Sequence, residues 1–228
     1  MHRRRGFLAT VGVVGAVSLA GCSLLEDTFE KSASPGGVGD DALDRTGFEH
    51  RETEEISFTE TVTALGQSRE LRLTNWRVTY AKAVPDVGED AARFRLFSTP
   101  SITVAGTEIN PFDALGDVVL FGEVDEGDPE EMDANGDGPD EDIEEEETRT
   151  VETLGEDVTY TRYEMTREVG GQELSVFVDV GRFSNDGDLL TAVGVHPQML
   201  EETENIDELA RAIEHPFENL STVPSTGI

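Results

Sequence analysis

The chain has 228 residues, with 49 acidic and 17 basic side chains. A protein this acidic lacks the basic face that binds phosphates, so nucleic acid is not expected as a partner. Such a fold repels itself unless counterions screen it, and the Debye length shrinks to about 3 Å at 1 M salt. The composition is therefore typical of a protein that works at high salt. Because Cys22 is the single cysteine, an intrachain disulfide, thiol catalysis and thiolate metal sites in the body are excluded.

The amino terminus is typical of an export signal. Arg4, Arg5, Phe7 and Leu8 match the twin-arginine core pattern Arg-Arg-x-Phe-Leu, which directs folded proteins out of the cell. An uncharged apolar stretch follows over residues 7–20. This stretch is shorter than the roughly 20 residues that a membrane-spanning helix needs, so a permanent transmembrane segment is not expected.

Residues 19–22, Leu-Ala-Gly-Cys, resemble a lipobox, in which small residues permit cleavage before the cysteine and its thiol receives lipid. Two acyl chains, at about 0.8 kcal/mol per buried CH₂, anchor a protein stably. We therefore expect the twin-arginine export machinery to deliver a protein that is lipid-anchored through Cys22 on the extracytoplasmic face of the cell membrane. The alternatives are a secreted protein with a chance cysteine, or an uncleaved anchor. Removing the signal leaves 17 − 3 = 14 basic residues and a formal charge of 14 − 49 = −35.

The first elements after the signal are a tether and a helix. Residues 23–39 are small, polar and rich in Gly and Pro, which predicts a flexible tether. A short helix is predicted over residues 40–46, closed by Gly47. These boundaries place one folded domain at 40–216.

Strands are predicted next. In residues 56–64 the apolar side chains recur at every second position, which indicates a half-buried strand. The strand over 71–82 changes phase in the middle, and a bulge near Asn75 would reconcile its two halves. Shorter strands are predicted over 92–97 and 101–105, with Pro100 between them.

The second half begins with a predicted helix at Asn110-Pro111, an N-cap residue followed by a proline. Strands are then predicted over 148–154, 158–166, 172–180 and 189–195, with Gly-containing turns between them. A last helix is predicted over 205–214, with Glu208 in a capping box and Pro216 after its end. Residues 217–228 form a tail. The fold class is α+β: an antiparallel sheet of about seven or eight strands in hairpin and meander connections, with two or three helices on one face.

An acidic segment at 123–148 holds 15 acidic residues in 26 and no Lys or Arg, which predicts a solvated, disordered insertion. Within it, the sequence fits the calcium-loop template D-x-[DN]-x-[DN]-G-x₅-E. The candidate ligands are Asp133, Asn135, Asp137, the carbonyl of Pro139 and Glu144. Asp140 replaces the usual apolar residue, no clear flanking helices are present, and such matches arise easily in acidic sequence. A simple solvated loop is therefore the favoured interpretation, with calcium binding as the alternative.

No catalytic constellation stands out. His2 leaves with the signal, and structural or exposed roles are expected for His50, His196 and His215. No Gly-x-Ser-x-Gly nucleophile elbow occurs, and carboxylates are too abundant for their spacing to identify a site. Trp76 is expected to be a core residue rather than part of a ligand site.

Several motifs together resemble a haloarchaeal family of lipoproteins known only as a domain of unknown function. Besides the export signal and lipobox, they are Leu73-Thr74-Asn75-Trp76 with Tyr80 and Lys82, Phe97-Ser98-Thr99-Pro100, Asn110-Pro111-Phe112, Val193-Gly194-Val195, and Glu214-His215-Pro216. The resemblance extends over residues 35–216 and implies membership without an activity, cofactor or site. In this chain the acidic run takes the place of an ordinary helix after residue 111, so a calcium site would be a feature of this chain alone.

The favoured hypothesis is a non-enzymatic module at the cell surface that binds an unknown protein or small molecule or contributes to the envelope. The alternative is a calcium-binding surface protein that uses the acidic loop. An uncharacterised enzyme is the third possibility. No cofactor other than calcium is implied.

Overall fold

The computed structural model describes residues 28–64, 67–84, 88–104, 107–109, 144–169 and 172–218. Several predicted features lie outside the described residues. They are the export signal, Cys22, the helix predicted after Asn110 and the candidate calcium ligands from Asp133 to Pro139. In the part of the chain that the structure describes, no helix is long and apolar enough to cross a membrane.

The described residues form an α+β fold, as the sequence predicts. The strands are β1 (Thr28–Ser32), β2 (Gly37–Val38), β3 (Glu49–Ala64), β4 (Gln67–Val84), β5 (Gly88–Pro100), β6 (Ile102–Val104), β7 (Thr107–Ile109), β8 (Glu144–Thr153), β9 (Glu156–Val169), β10 (Gln172–Asn185), β11 (Asp188–Pro197) and β12 (Ile213–Glu214). The helices are α1 (Asp40–Thr46) and α2 (Thr203–Arg211).

One sheet of eight strands organises the domain. Its order from β4 onward is β4-β5-β11-β10-β9-β8. β1 pairs with the same side of β4 as β5, and β3 pairs with the opposite side. All pairs are antiparallel except β1 with β4. β1 pairs with residues 70–74 of β4 and β5 pairs with β4 from Trp76 onward, so these two strands follow one another along β4. Two small sheets, β2-β12 and β6-β7, complete the described strands.

The predicted meander of four strands is confirmed by β8 to β11. Two of its hairpins turn through pairs of residues with positive φ, Leu154-Gly155 and Asp186-Gly187. This is the combination that suits the twist of a two-residue hairpin, and glycine adopts it without strain. The turns are therefore encoded locally.

The phase change in β4 has a different cause from the one predicted. Pairing with β3 runs without a register shift from Glu52 to Ala64, and the irregularity in this hairpin lies near His50 instead of Asn75. Leu73 and Asn75 are buried on one face of the strand, whereas Val78 is buried on the other. A regular strand thus buries opposite faces in its two halves, and the prediction of a bulge at Asn75 was wrong.

The folded domain starts before residue 40. Residues 28–32 pair with β4, and the main-chain N–H of Gly36 donates to Ser98 Oγ at 3.1 Å. Ala33 O accepts hydrogen from Trp76 Nε1 at 3.0 Å, and the N–H of Val38 donates to the Tyr80 hydroxyl at 2.8 Å. Residues 28–39, which composition placed in the tether, are therefore an integral strap; we call them the N-terminal strap.

Both helices pack on the same face of the sheet, which we call the helix face. Its core contains Phe48, Tyr80, Phe94, Tyr160 and Ile206. The opposite face buries a second apolar cluster, of which the most buried members are Val178 and Val193. The domain thus has apolar layers on both sides of one sheet.

The last helix begins and ends earlier than predicted. It starts at Thr203, and its N-cap residue, Glu202, makes no side-chain capping bond. Glu208 pairs with Arg45 of α1 instead of closing a capping box. After Arg211 the chain forms the short strand β12 rather than continuing as a helix to residue 214.

Candidate functional site

A buried ionic network lies on the helix face where α2 meets the central strands. Asp179 of β10 is fully buried. Arg162 of β9 holds it in a bidentate pair, with Nε 2.8 Å from Oδ1 and Nη2 2.9 Å from Oδ2. Arg149 of β8 donates to the same Oδ1 at 2.6 Å. Strand register explains this meeting, because Asp179 and Arg162 are directly paired residues whose side chains share one face.

The two arginines also hold α2. Arg149 Nε lies 2.8 Å from Asp207 Oδ1, and Arg162 Nη2 donates to Thr203 Oγ1 at 2.9 Å. Their guanidinium groups lie near aromatic rings, with Arg162 4.5 Å from the centroid of Phe177. Such contacts are favourable for a desolvated cation. The network therefore joins three strands to one helix.

Burial and the arginines act in opposite directions on Asp179. Burial alone raises the pKa of this carboxyl, but the hydrogen bonds and positive charges of Arg162 and Arg149 together outweigh it, so the pKa lies below the ordinary 3.8. Burial lowers the pKa of Arg149, but the hydrogen bonds and negative charges of Asp179 and Asp207 together outweigh it, so the pKa lies above its ordinary value. Two arginines balance Asp179 and Asp207, so the network has no net charge.

His196 lies beside the network and is 1% exposed. Its Nδ1 is 3.1 Å from the carbonyl oxygen of Pro197, and its Nε2 is 3.9 Å from Asp179 Oδ2. Burial lowers the pKa of His196 below 6.5, opposed by the Pro197 bond and the Asp179 charge. Among the described residues, Nε2 has no hydrogen-bond partner. The ring is therefore held neutral, with the proton on Nδ1.

A second pair fixes the start of α2. Lys82 Nζ lies 2.9 and 3.0 Å from the two carboxylate oxygens of Glu202, and Asn205 Nδ2 donates to Glu202 at 2.7 Å. The side chain of Glu202 is 10% exposed and that of Lys82 is 24% exposed. One of the two lysines of the chain is therefore used inside the fold.

This arrangement clamps α2 but offers little chemistry. Asp179 accepts hydrogen bonds on both oxygens from guanidinium groups and is fully buried, so it is not available as a general base. His196 is equally inaccessible. The geometry therefore indicates a structural centre whose function is to fix the helix on the sheet.

A cleft that gathered Asn75, Trp76, His196 and Asn110 would support a catalytic interpretation. The described members of this set do not come together. Asn75 and Trp76 are neighbours on β4 and therefore point to opposite faces. Trp76 pairs with Ser98, which pairs with Leu190 of β11, and His196 follows six residues later. That separation is roughly 20 Å along the strand. Asn110 lies outside the described residues.

The other histidines have structural partners, as predicted. His50 Nε2 lies 2.8 Å from Thr53 Oγ1, and burial lowers its pKa. His215 Nδ1 lies 3.1 Å from Asn185 Oδ1, and its Nε2 lies 3.2 Å from the carbonyl oxygen of Ser34. His215 thus joins the end of the domain to the N-terminal strap.

An open recess occurs between the two helices. It is lined by Arg45, Glu204, Asp207, Glu208 and Arg211, with Ala212 at its edge. Ligand sites are usually enclosed and largely apolar, whereas this surface is charged and its arginines pair with its own carboxylates. It is therefore a solvated helix junction rather than a binding pocket.

The described residues contain no cluster of three or more His, Cys, Asp or Glu placed to hold a metal ion. Glu144, the last predicted calcium ligand, is the first residue of β8 and pairs with Glu164. The remaining candidate ligands lie outside the described residues. The calcium hypothesis is therefore still a prediction.

Sequence reasoning missed the ionic network. A usable signal was present, because Arg162 follows Val158 and Tyr160 at alternate positions and so occupies an inward position of its strand. Arg149 has the same relation to Val151. A charged residue at an inward position needs a buried partner, although the pattern does not name that partner.

Comparisons with known proteins give a family without an activity. No curated protein matches the sequence. A crystal structure of a protein from Bacteroides thetaiotaomicron is similar over 80% of this chain, at 11% identity and a TM-score of 0.32. The chain spans 48% of that protein's length. The family described as a domain of unknown function, DUF6517, matches residues 35–214. With most of its length matched, the chain belongs to the DUF6517 family of unknown function.

Proposed function

We propose that this protein is a non-enzymatic module of a halophile, held by lipid on the extracytoplasmic face of the membrane, that displays its domain to a partner or contributes to the envelope. The observation that carries this proposal is the position of the single cysteine. Cys22 ends a lipobox-like sequence behind a twin-arginine pattern, and the first described strand begins six residues later. A short stretch of chain therefore separates the proposed anchor from β1.

Two features of the domain support a display role rather than catalysis. Both carboxylate oxygens of the buried Asp179 accept hydrogen bonds from Arg149 and Arg162, so this carboxylate supports the fold and is not available for proton transfer. The recess between the helices is open and lined by paired charges. The formal charge of −35 also suits a surface immersed in concentrated salt.

The anchor is tested by expressing the full chain in a halophilic host and fractionating the cells. Wild type is expected in the membrane fraction, with two acyl chains on the peptide that begins at Cys22. Cys22→Ala should remove the lipid and release the protein from the membrane. Ser23→Ala is the matched control and should behave as wild type. Unmodified Cys22 in the wild-type peptide would refute lipidation.

The export route is tested separately. Replacing Arg4 and Arg5 by lysine preserves the charge of the signal and removes the guanidinium pair. We expect the precursor to accumulate inside the cell. Replacing Arg3 by lysine is the control, because Arg3 lies outside the matched core pattern. Normal export of the double variant would exclude the twin-arginine route.

Calcium binding is the second candidate, supported by the match of residues 133–144 to the loop template. Calorimetric titration of the mature chain with calcium in molar KCl is the test. Stoichiometric heat should disappear in Asp133→Ala with Glu144→Ala and persist in Glu130→Ala with Glu131→Ala, which changes two acids outside the template. Equal heats for both variants would mean non-specific attraction to an acidic segment.

A further inference from the structure

We propose that the hairpin of β3 and β4 faces the lipid surface and that the lipid-proximal end of the domain is the end at which this hairpin projects. The inference rests on the proposed function, because it takes Cys22 as the point of attachment. It adds an orientation and names the surface that meets the membrane.

The first step is the direction of the chain where it enters the fold. β1 runs parallel to β4, and its first residue, Thr28, pairs with Glu70. β4 starts at Gln67, at the tip of its hairpin with β3. The amino-terminal end of β1 therefore points toward that tip. The tip lies about 10 Å beyond Thr28, at roughly 3.3 Å per residue.

The second step is the length of chain between the anchor and the fold. Six residue steps separate Cys22 from Thr28, so they span at most about 20 Å when fully extended. The hairpin tip lies about 10 Å from Thr28 in the same direction, which is about half of the largest distance between Cys22 and Thr28. An anchored domain therefore cannot move its hairpin end far from the membrane.

The third step is the shape of this end. β5 pairs with β4 only from Trp76 onward. Residues 67–75 of β4 therefore extend beyond the paired part of β5, where they pair with β3 and, over residues 70–74, with β1. This extension of three strands is roughly 30 Å long at about 3.3 Å per residue. We call it, with residues 56–64 of β3, the hairpin extension. It projects toward the side of the domain from which the tether leaves.

The fourth step is charge. Residues 56–73 contain two acidic and two basic residues, Glu60, Glu70, Arg69 and Arg72, so their net charge is zero in a chain of strongly negative charge. Glu30 of β1 pairs with Arg72 at 2.8 Å. At 1 M salt, where charges act over only about 3 Å, an anionic membrane repels an acidic surface at close contact, whereas the hairpin extension has no net charge to be repelled there.

The exposed residues described on β3 also suit a lipid headgroup layer. Ile56 is 37% exposed and is one of two exposed large hydrophobic residues among those whose side chains the structure describes. Ser57 and Thr59 are exposed on the opposite face of the strand, because successive side chains alternate between the two faces. This strand therefore carries an apolar side chain on one face and hydroxyl groups on the other, and a strand that meets the membrane edge-on places both at the boundary between headgroups and acyl chains.

The same geometry places the ionic network far from the membrane. Asp179 lies in register with Gly194, Phe94 and then Tyr80 of β4. Tyr80 is ten residues from Glu70, or roughly 33 Å along the strand at about 3.3 Å per residue. The end of the sheet that carries the start of α2 is thus the end available to partners in the surrounding medium.

The test measures amide hydrogen exchange in the mature chain from Cys22 to Ile228. Its single thiol is coupled to a maleimide phospholipid in vesicles of equimolar phosphatidylglycerol and phosphatidylcholine, in molar KCl. The reference is the same chain capped with N-ethylmaleimide and mixed with the same vesicles. Because β3 pairs with β4 alone among the described strands, its alternate amides point away from β4 and can report contact.

We expect exchange over residues 56–75 to slow several-fold in the coupled protein, while β8 at the opposite edge is unchanged. Ser57→Glu with Thr59→Glu should abolish the slowing. Thr150→Glu with Thr159→Glu, at exposed positions of β8 and β9, should preserve it. Equal exchange in coupled and capped proteins would overturn the orientation. Slower exchange that depends on protein concentration in both the coupled and the capped protein would also overturn the orientation, because that result would identify a second copy of the chain as the partner of β3.

Chemical coupling separates this inference from the proposed function. An unmodified Cys22 in cells would refute lipidation whatever the vesicles show. A coupled protein without hairpin protection would refute the orientation even if Cys22 is lipidated in cells.

Discussion

Replacing Asp179 by asparagine tests whether the ionic network fixes α2 on the sheet. The substitution preserves the shape of the side chain and removes its charge. Arg149 then retains the carboxylate of Asp207, whereas Arg162 loses its paired carboxylate and retains only uncharged partners, such as the hydroxyl of Thr203 and the ring of Phe177. Removing one partner of a buried ion pair costs about 3–5 kcal/mol, because a buried charge is left uncompensated. In a domain of this size each kcal/mol shifts Tm by roughly 2–4 °C, so we expect Tm to fall by roughly 6–20 °C.

The assay is thermal unfolding followed by circular dichroism in molar KCl. Asp157→Asn, at an exposed position of β9, is the matched control and should change the free energy of unfolding by less than about 0.5 kcal/mol. A companion variant that replaces Asp179 by Leu and Arg162 by Met should recover part of the loss, since apolar residues can substitute for a buried pair. A Tm for Asp179→Asn equal to that of the control would refute the structural role assigned to this carboxylate.

Three further substitutions give separable results. Trp76→Phe removes the hydrogen bond to Ala33 O, so the domain should lose about 0.5–1.5 kcal/mol and amide exchange over residues 33–38 should quicken; unchanged exchange would contradict the anchoring of the strap. Gly181→Ala places a Cβ 2.5 Å from the buried ring of Tyr160, which should cost about 1–3 kcal/mol in denaturant unfolding. His196→Gln tests pH dependence. Since burial lowers the pKa of His196 below 6.5, the unfolded chain binds a proton first, and wild-type stability should fall as pH drops below about 6.5. The variant should lose less stability over this range, and identical pH slopes would refute a buried neutral imidazole.

The meander could be predicted because its information is local. Gly155 and Gly187 supply the positive φ that tight hairpins require, and alternating apolar residues mark the strands on either side. The helix α1 was predicted with its observed bounds for the same reason, since Gly47 ends it in the left-handed conformation. Each of these elements depends on residues that are close in sequence.

The N-terminal strap was not predicted, because the amino-acid composition of residues 28–39 is compatible with two different structures. Small residues favour a flexible tether, but they also let a chain lie directly on a sheet. A Cβ on Gly36 would stand 2.6 Å from Cδ2 of Leu96. The glycine thus permits the backbone to approach the core, and only the long-range partners decide between the two interpretations.

The ionic network escaped prediction for a related reason. Asp179 is 17 residues from Arg162 and 30 from Arg149, and it meets them only when β8, β9 and β10 pair in the observed register. In a chain with 49 acidic residues, no local feature distinguishes this carboxylate from the others. Inward strand parity identifies the arginines as unusual, but their acceptor depends on the register of the whole sheet.

The placement of cations separates two electrostatic effects in this domain. Arg149, Arg162 and Lys82 are used in partly or fully buried pairs, where counterions screen weakly, whereas the excess of carboxylates on the surface is screened when salt is raised. Added salt should therefore stabilise the domain by reducing repulsion at the surface and leave the network nearly unaffected. It follows that Asp179→Asn should lose a similar free energy of unfolding at 1 M and at higher KCl, so that its stability curve runs parallel to that of wild type. Curves that converge as salt increases would show that the network itself is screened, and would place water and ions where the structure has closed side-chain contacts.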